Sequence, residues 1–202
     1  LDSLTPHIAE KIAGKDVLSH VLTGIDAALA SGLHVKLNCV PLKGINDHEL
    51  ISLINFSKEK GVTIRFIEYM ENHYANVLQG GLTSQEICQT ISSSYLFTPQ
   101  EKSLQSPAQY YRLEDGYEFG IIEPHKEDFC QTCNRLRLSA EGFLIPCLYF
   151  DEALSIKDAL KSHDMKELDL LTHHVLRHKP EKNRWNSQNL EVSNRAFYHT
   201  GG

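Results

Sequence analysis

The fold of this chain is decided by two apolar segments, HVKLNCV at residues 34–40 and TIRFIEYM at residues 63–70. A segment with helical spacing precedes each of them, at residues 16–30 and 47–60, and a glycine ends each predicted helix. Two helix–strand units in succession are typical of β/α architecture. The sequence therefore predicts an α/β fold in which the two strands are parallel and the helices lie outside them.

The strand at residues 34–40 has one polar face. Side chains alternate across a strand, so Lys36 and Asn38 share a face, while the apolar residues share the other. In a closed or half-closed parallel barrel, the inward face can line a ligand site. Lys36 is therefore a candidate phosphate contact, although a surface lysine on an edge strand explains it equally well. Arg65 on the next strand is a weaker candidate, because Glu68 could simply pair with it.

The β/α pattern stops after residue 70. A capping-box spacing at residues 83–86 predicts a short helix, and turn signals predict hairpins at residues 110–122 and 135–147. We therefore divide the chain near residue 75, into β/α units at residues 1–75 and a region of mixed α+β structure at residues 76–202.

Composition narrows the class of protein. The chain has 202 residues, of which 41% are hydrophobic and 23% charged, as in soluble globular proteins. Its 20 basic and 26 acidic residues give a formal charge of -6, so a general nucleic-acid binder is not expected. We find no apolar run long enough for a membrane span and no pattern of a secretion signal. A cytoplasmic protein without membrane partners is expected.

The strongest chemical signal is a group of three cysteines. Cys130, Cys133 and Cys147 have the spacing C-x2-C-x13-C. Together with an odd total of five cysteines, this crowding favours metal ligation in a reducing compartment over a disulfide framework. A structural zinc site would need a fourth ligand, such as His125 or His163. Three thiolates without a fourth protein ligand also suit an iron–sulfur cluster that keeps one iron open for a substrate atom.

The hairpin register brings arginines to the same place. If Ser139 pairs with Phe143 across the turn, Arg137 pairs with Ile145 and Arg135 with Cys147, so that Cys147 returns to the CxxC segment. Two arginines on a strand are most often a solvated face. Beside a metal site, however, their guanidinium groups would suit an anionic substrate such as a nucleoside triphosphate.

These stretches resemble one family. The run DFCQTCNRLRL at residues 128–138, followed by GFL at 142–144 and CL at 147–148, closely resembles the C-terminal cluster motif of the radical SAM GTP 3',8-cyclases of molybdenum-cofactor biosynthesis, the MoaA family. Four further stretches agree with that family in order, at residues 1–4, 35–38, 65–70 and 201–202. The resemblance therefore spans the whole chain.

The resemblance implies a fold and a reaction. The fold is the C-terminal half of an incomplete (β/α)6 radical SAM barrel, followed by an α+β cluster-binding region. The reaction converts GTP to (8S)-3',8-cyclo-7,8-dihydroguanosine 5'-triphosphate with S-adenosylmethionine and two [4Fe-4S] clusters. The second cluster's open iron would meet the guanine base, and family members commonly form homodimers.

The resemblance also implies roles for individual residues of this chain. Cys130, Cys133 and Cys147 would ligate the second cluster. The implied GTP contacts are Lys36, Arg65, Arg135, Leu136 and Arg137. Met70 would lie beside S-adenosylmethionine, and the glycine tail, Gly201 and Gly202, would reach into the active site.

One departure from the family is large. A CxxxCxxC motif, which in the family holds the cluster that makes the radical, occurs nowhere in this sequence. We therefore expect this chain alone, without the N-terminal half of the barrel, to be catalytically inactive. The alternative function is a structural zinc-binding module or a non-catalytic GTP-binding fragment.

Overall fold

Two compact units make up the computed structural model, which describes residues 1–70, 80–103, 106–126, 129–131, 133–148 and 152–179. The first unit comprises the described residues of 1–69 and 80–124. The second comprises residue 70 and the described residues of 125–179.

A five-stranded sheet organises the first unit. Its strands are β1 (Lys36–Cys39), β2 (Thr63–Ile67), β3 (Phe97–Pro99), β4 (Ala108–Leu113) and β5 (Glu118–Ile122), in the spatial order β1-β2-β5-β4-β3. β1, β2 and β5 are parallel, and β4 is antiparallel to both β5 and β3. The predicted α/β class and the parallel pairing of the first two strands are confirmed, within a sheet that is mixed.

The second strand of the predicted hairpin at residues 110–122 explains why the sheet is mixed. Four of the five residues of β5 are buried, so this strand is covered on both faces, as expected of a central strand. It pairs in parallel with β2 on one side and antiparallel with β4 on the other. Strands from both sides of the predicted boundary near residue 75 therefore share one sheet, and the assignment of separate roles to 1–75 and 76–202 stays a prediction.

Helices cover the sheet of the first unit. They are α1 (Pro6–Ala13), α2 (Leu18–Ala30), α3 (Leu50–Glu59) and α4 (Ser84–Ser92), and a short 3-10 turn at Asp47–Glu49 leads into α3. The predicted helices at residues 16–30 and 47–60 thus form within two or three residues of the expected bounds. The apolar faces of α2, α3 and α4 pack on one core, whose fully buried side chains include Leu53, Ile64, Phe66 and Phe119.

Two buried polar residues hold the first residues of the chain beside β1. The side-chain amide of Asn46 donates to the Asp2 carbonyl at 2.7 Å, and Glu49 accepts hydrogen bonds from the Ser3 hydroxyl at 2.6 Å and the Leu4 N–H at 2.8 Å. The Leu1 backbone nitrogen donates to the Asn38 carbonyl at 2.9 Å. The outer edge of β1 is therefore covered by the residues at the start of this chain.

The capping box predicted at residues 83–86 forms at the start of α4. The Glu86 N–H donates to the Thr83 hydroxyl, and the Thr83 N–H donates to the Glu86 carboxylate at 2.8 Å. The Lys43 ammonium also binds this carboxylate, at 2.7 Å. The Lys43 hydrogen bond, followed by the Thr83 N–H, lowers the Glu86 pKa from its ordinary 4.5 to about 2.

This cap predicts a pH-dependent contribution to stability. A carboxyl whose folded-state pKa is depressed stabilises the fold fully above its ordinary pKa, and the contribution disappears as the pH falls toward the folded value. We expect Glu86→Gln to cost about 0.5–1 kcal/mol at pH 7, because the pair is partly exposed to solvent. The difference from the unsubstituted protein should vanish between pH 4.5 and about 2. Urea unfolding across this range measures it, with Glu114→Gln in an exposed turn as the control; a difference that persists unchanged at the lowest pH would contradict the assignment.

A small antiparallel sheet and two helices form the second unit. The strands are β6 (Arg137–Leu138), β7 (Phe143–Ile145) and β8 (Leu154–Ser155), in that order, and the helices are α5 (Lys157–Lys161) and α6 (Met165–Arg177). Leu144, Ile156 and Val175 form its buried core. In the part of the chain that the structure describes, no helix has the length and apolar character needed to cross a membrane.

Candidate functional site

Lys36 and Arg65 lie on the polar face of the sheet in the first unit. Burial alternates along β1, where Leu37 and Cys39 are buried while Lys36 and Asn38 are exposed, as the sequence predicts. The parallel register places Asn38 opposite Arg65, and the Arg65 Nε donates to the Asn38 side-chain oxygen at 2.8 Å. The two candidate cations therefore lie on neighbouring strands, with Arg65 oriented by Asn38.

The same row of residues continues across the sheet to an aromatic ring. Arg65 pairs with Gly120, which pairs with Tyr110. A Cβ on Gly120 would lie 3.2 Å from both the Arg65 Cγ and a ring carbon of Tyr110, so glycine allows the two side chains to approach each other here. The Lys36 ammonium lies 5.9 Å from the centre of the Tyr110 ring. The ring thus contacts one cation through its face, and two cationic side chains, Lys36 and Arg65, share this face of the sheet.

Tyr110 is a residue of this face that sequence reasoning missed. Its hydroxyl oxygen is buried and has no hydrogen-bond partner among the described residues. Strand alternation within the hairpin at residues 110–122 could have placed it on this face, but its neighbours Arg65 and Lys36 are distant in sequence. Only the order of the strands brings them together.

The hairpin of the second unit carries the cysteine motif. The predicted register is confirmed: Arg137 pairs with Ile145, and the Ser139 N–H donates to the Phe143 carbonyl at 2.9 Å. The ladder is shorter than predicted, however, because β6 comprises only residues 137–138. The expectation that a regular strand runs back through Arg135 is therefore wrong, and Arg135 does not pair with Cys147 in the ladder.

Beyond the end of the ladder, a lysine side chain connects the two segments of the hairpin. The ammonium of Lys179, just beyond α6, donates to the Arg135 carbonyl and to the Pro146 carbonyl, both at 2.7 Å. The two carbonyl oxygens therefore lie within twice that distance of each other. Cys147 directly follows one of these residues, so the chain segments that carry the CxxC motif and the third cysteine do meet.

The same lysine affects the chemistry of Cys133. Burial of the thiol opposes ionisation, but hydrogen bonds from the Arg135 N–H and the Lys179 ammonium, together with the charge of Lys179, outweigh it and lower the Cys133 pKa. By contrast, burial raises the pKa values of the Cys39 and Cys88 thiols. Ionisation favours metal binding, because the thiolate is the form that ligates metals.

The donor set suits a thiophilic metal, although the described residues do not present a finished coordination sphere. No group of three or more histidine, cysteine, aspartate or glutamate side chains within them is arranged to hold a metal ion. None of the five cysteines, all of which are described, is in a disulfide, and Cys130, Cys133 and Cys147 are each half-buried. Soft thiolates beside positive charge fit zinc or an iron–sulfur cluster. The assignment of a metal site thus rests on the three thiol donors and on the contact between the chain segments that carry them.

The remaining predicted site residues have different surroundings. Leu136 is partly buried and packs against the small core of the second unit. Arg135, Arg137 and Met70 are half-buried. The glycine tail, Gly201 and Gly202, lies outside the described residues.

Comparison with known proteins identifies the family. The model of the family Molybdenum Cofactor Synthesis C matches residues 62–185. The GTP 3',8-cyclases of Sulfurimonas denitrificans, Aliarcobacter butzleri and Campylobacter jejuni are respectively 52%, 53% and 54% identical to the chain. Each match covers 100% of this chain and 63% of the relative.

The residues matched by the family model include strands of the mixed α/β unit and the whole cysteine hairpin. The chain belongs to the Molybdenum Cofactor Synthesis C family, and its whole length is related to GTP 3',8-cyclases. The family resemblance inferred from the CxxCNRLRL motif is confirmed. The chain spans about 63% of the length of the curated relatives that it matches.

Proposed function

We propose that the chain is the C-terminal portion of a radical SAM GTP 3',8-cyclase and that its second unit binds a [4Fe-4S] cluster and GTP. The observation that carries the proposal is the meeting of the CxxC segment and the Pro146–Cys147 segment at one ammonium group. The names of the relatives support the reaction, and the thiol donors support the cluster.

Three residues would hold the cluster. Cys130, Cys133 and Cys147 supply three thiolates, and the fourth iron then lacks a protein ligand. When bound, such a cluster offers an open, Lewis-acidic iron to a nitrogen or oxygen atom of a purine. The lowered pKa of Cys133 favours the ionised form that ligates a metal.

The arginines next to the cysteines would bind the substrate. Arg135 and Arg137 flank Leu136, whose side chain is anchored in the core of the second unit. A fixed backbone limits the motion of both guanidinium groups, which hold phosphate through paired, charge-assisted hydrogen bonds. In the first unit, Lys36 and Arg65 are proposed phosphate contacts for the same reason, since both are cations on one sheet face.

The rest of the reaction is assigned to the longer protein. We propose that S-adenosylmethionine lies beside Met70 and that its cluster is held by residues outside this chain. The first unit would then belong to an incomplete (β/α)6 barrel, and this chain alone would be inactive. A cytoplasmic homodimer and a catalytic role for Gly201 and Gly202 complete the proposal.

Titration with GTP tests the substrate site. We expect the double variant Arg135→Ala/Arg137→Ala to bind GTP about 10- to 100-fold more weakly than the unsubstituted chain, because charged hydrogen bonds contribute about 1.5–3 kcal/mol each and their effects overlap. Calorimetry on the anaerobically reconstituted chain measures the affinities.

The matched control removes two arginines elsewhere. Arg112 and Arg177 are exposed, and the double variant Arg112→Ala/Arg177→Ala changes the net charge by the same amount. It should bind GTP as the unsubstituted chain does. Equal affinities for all three proteins would reject the arginine site, and no heat of binding with the unsubstituted chain would reject GTP as its ligand.

A further inference from the structure

Lys179 has an arrangement of contacts that neither the family motif nor the cysteine spacing predicts. A lysine just after a helix usually only complements the negative end of the helix dipole. Here the half-buried ammonium donates instead to the carbonyl oxygens of Arg135 and Pro146, at 2.7 Å each. Two of the three N–H donors of the ammonium group are thus directed at the cysteine hairpin.

The position of these contacts indicates that Lys179 acts at the cysteines and does not merely contribute to general packing. The β6–β7 ladder has ended before Arg135, so no pairing between strands fixes the Arg135 backbone relative to Pro146. Lys179 supplies that connection. Because Cys147 follows Pro146 and Cys133 precedes Arg135 by two residues, the same contact fixes the spacing of two proposed ligands.

We propose that Lys179 is a positioning residue for the metal centre of the second unit, an inference that rests on the proposed cluster site. It joins the two ligand-bearing segments and places one positive charge beside the thiolates. Outer-shell groups of this kind commonly change metal affinity about 10- to 100-fold when removed. A nearby positive charge also stabilises the reduced, more negative form of a cluster, so that it raises the reduction potential.

Three single variants test the proposal. Lys179→Met keeps the length of the side chain and removes its charge and donors, Lys179→Arg keeps the charge and donors, and Lys166→Met is a control at an exposed position of α6. Each chain is reconstituted anaerobically with iron and sulfide and then challenged with an iron chelator. We expect Lys179→Met to lower cluster affinity about 10- to 100-fold and to lower the reduction potential of the retained cluster, with Lys179→Arg restoring much of both.

The outcomes separate this inference from the proposed function. If Lys179→Met matches Lys166→Met in iron retention and in potential, Lys179 has no positioning role, even though the cluster is present. If the unsubstituted chain takes up zinc but no iron, the proposed cluster is wrong, and the zinc affinities of the same variants decide the role of Lys179. A chain that binds neither metal contradicts both proposals. A loss of affinity in Lys179→Met that Lys179→Arg does not rescue contradicts the role of the charge and donors.

Discussion

Replacing Cys147 by serine is expected to reduce the iron bound by the reconstituted chain from about four atoms to fewer than about one. Serine keeps the size of the side chain, but its hydroxyl remains protonated where a thiolate is needed. Because the third cysteine is the only proposed ligand outside the CxxC segment, its loss should leave two ligands, too few to retain a cluster. Iron and sulfide analysis with the visible spectrum measures the effect.

Cys88 provides the matched control. It is half-buried in the first unit, and burial raises the pKa of its thiol, so it is not a favourable metal ligand. Cys88→Ser should therefore keep the iron and the brown colour. Equal iron in both variants would exclude Cys147 as a ligand, and one colourless zinc per unsubstituted chain would favour the structural zinc site.

Replacing Phe119 by alanine is expected to destabilise the first unit by about 3–5 kcal/mol. The ring is fully buried and stacks on Tyr111 at 5.3 Å between ring centres, while Phe66 and Phe97 meet it edge to face at 6.5 and 5.3 Å. Its removal leaves a cavity among rings that cannot collapse easily and forfeits the aromatic contacts. The thermal transition of this unit should fall by roughly 10 °C or more.

Phe143 is the control for this prediction. Its side chain is 41% exposed on β7 of the second unit, so Phe143→Ala should cost about 1 kcal/mol or less. Urea unfolding followed by circular dichroism compares the two variants. A cost for Phe119→Ala as small as that for Phe143→Ala would contradict the assignment of this aromatic cluster as the centre of the core.

Local patterns predicted the elements near the two candidate sites. The alternation in β1, the capping box of α4 and the register of the cysteine hairpin each depend on residues close in sequence, where periodicity and turn chemistry act directly. The hairpin at residues 110–122 was predicted as well, but its place in the sheet was not. Nothing in the sequence of β5 specifies that it pairs in parallel with β2 rather than forming a separate sheet with β4.

The sequence by itself determined the family, the three cysteines and the neighbouring arginines, because these depend on residue type and short spacing. Only the tertiary structure decided that Gly120 and Tyr110 join Lys36 and Arg65, and that Lys179 closes the cysteine hairpin. The hydrogen bonds of Lys179, for example, reach Arg135 and Pro146, which lie 44 and 33 positions earlier in the sequence. Their physical cause is the packing of whole elements, since burial of apolar faces sets which strands are neighbours and which backbone carbonyls need a donor.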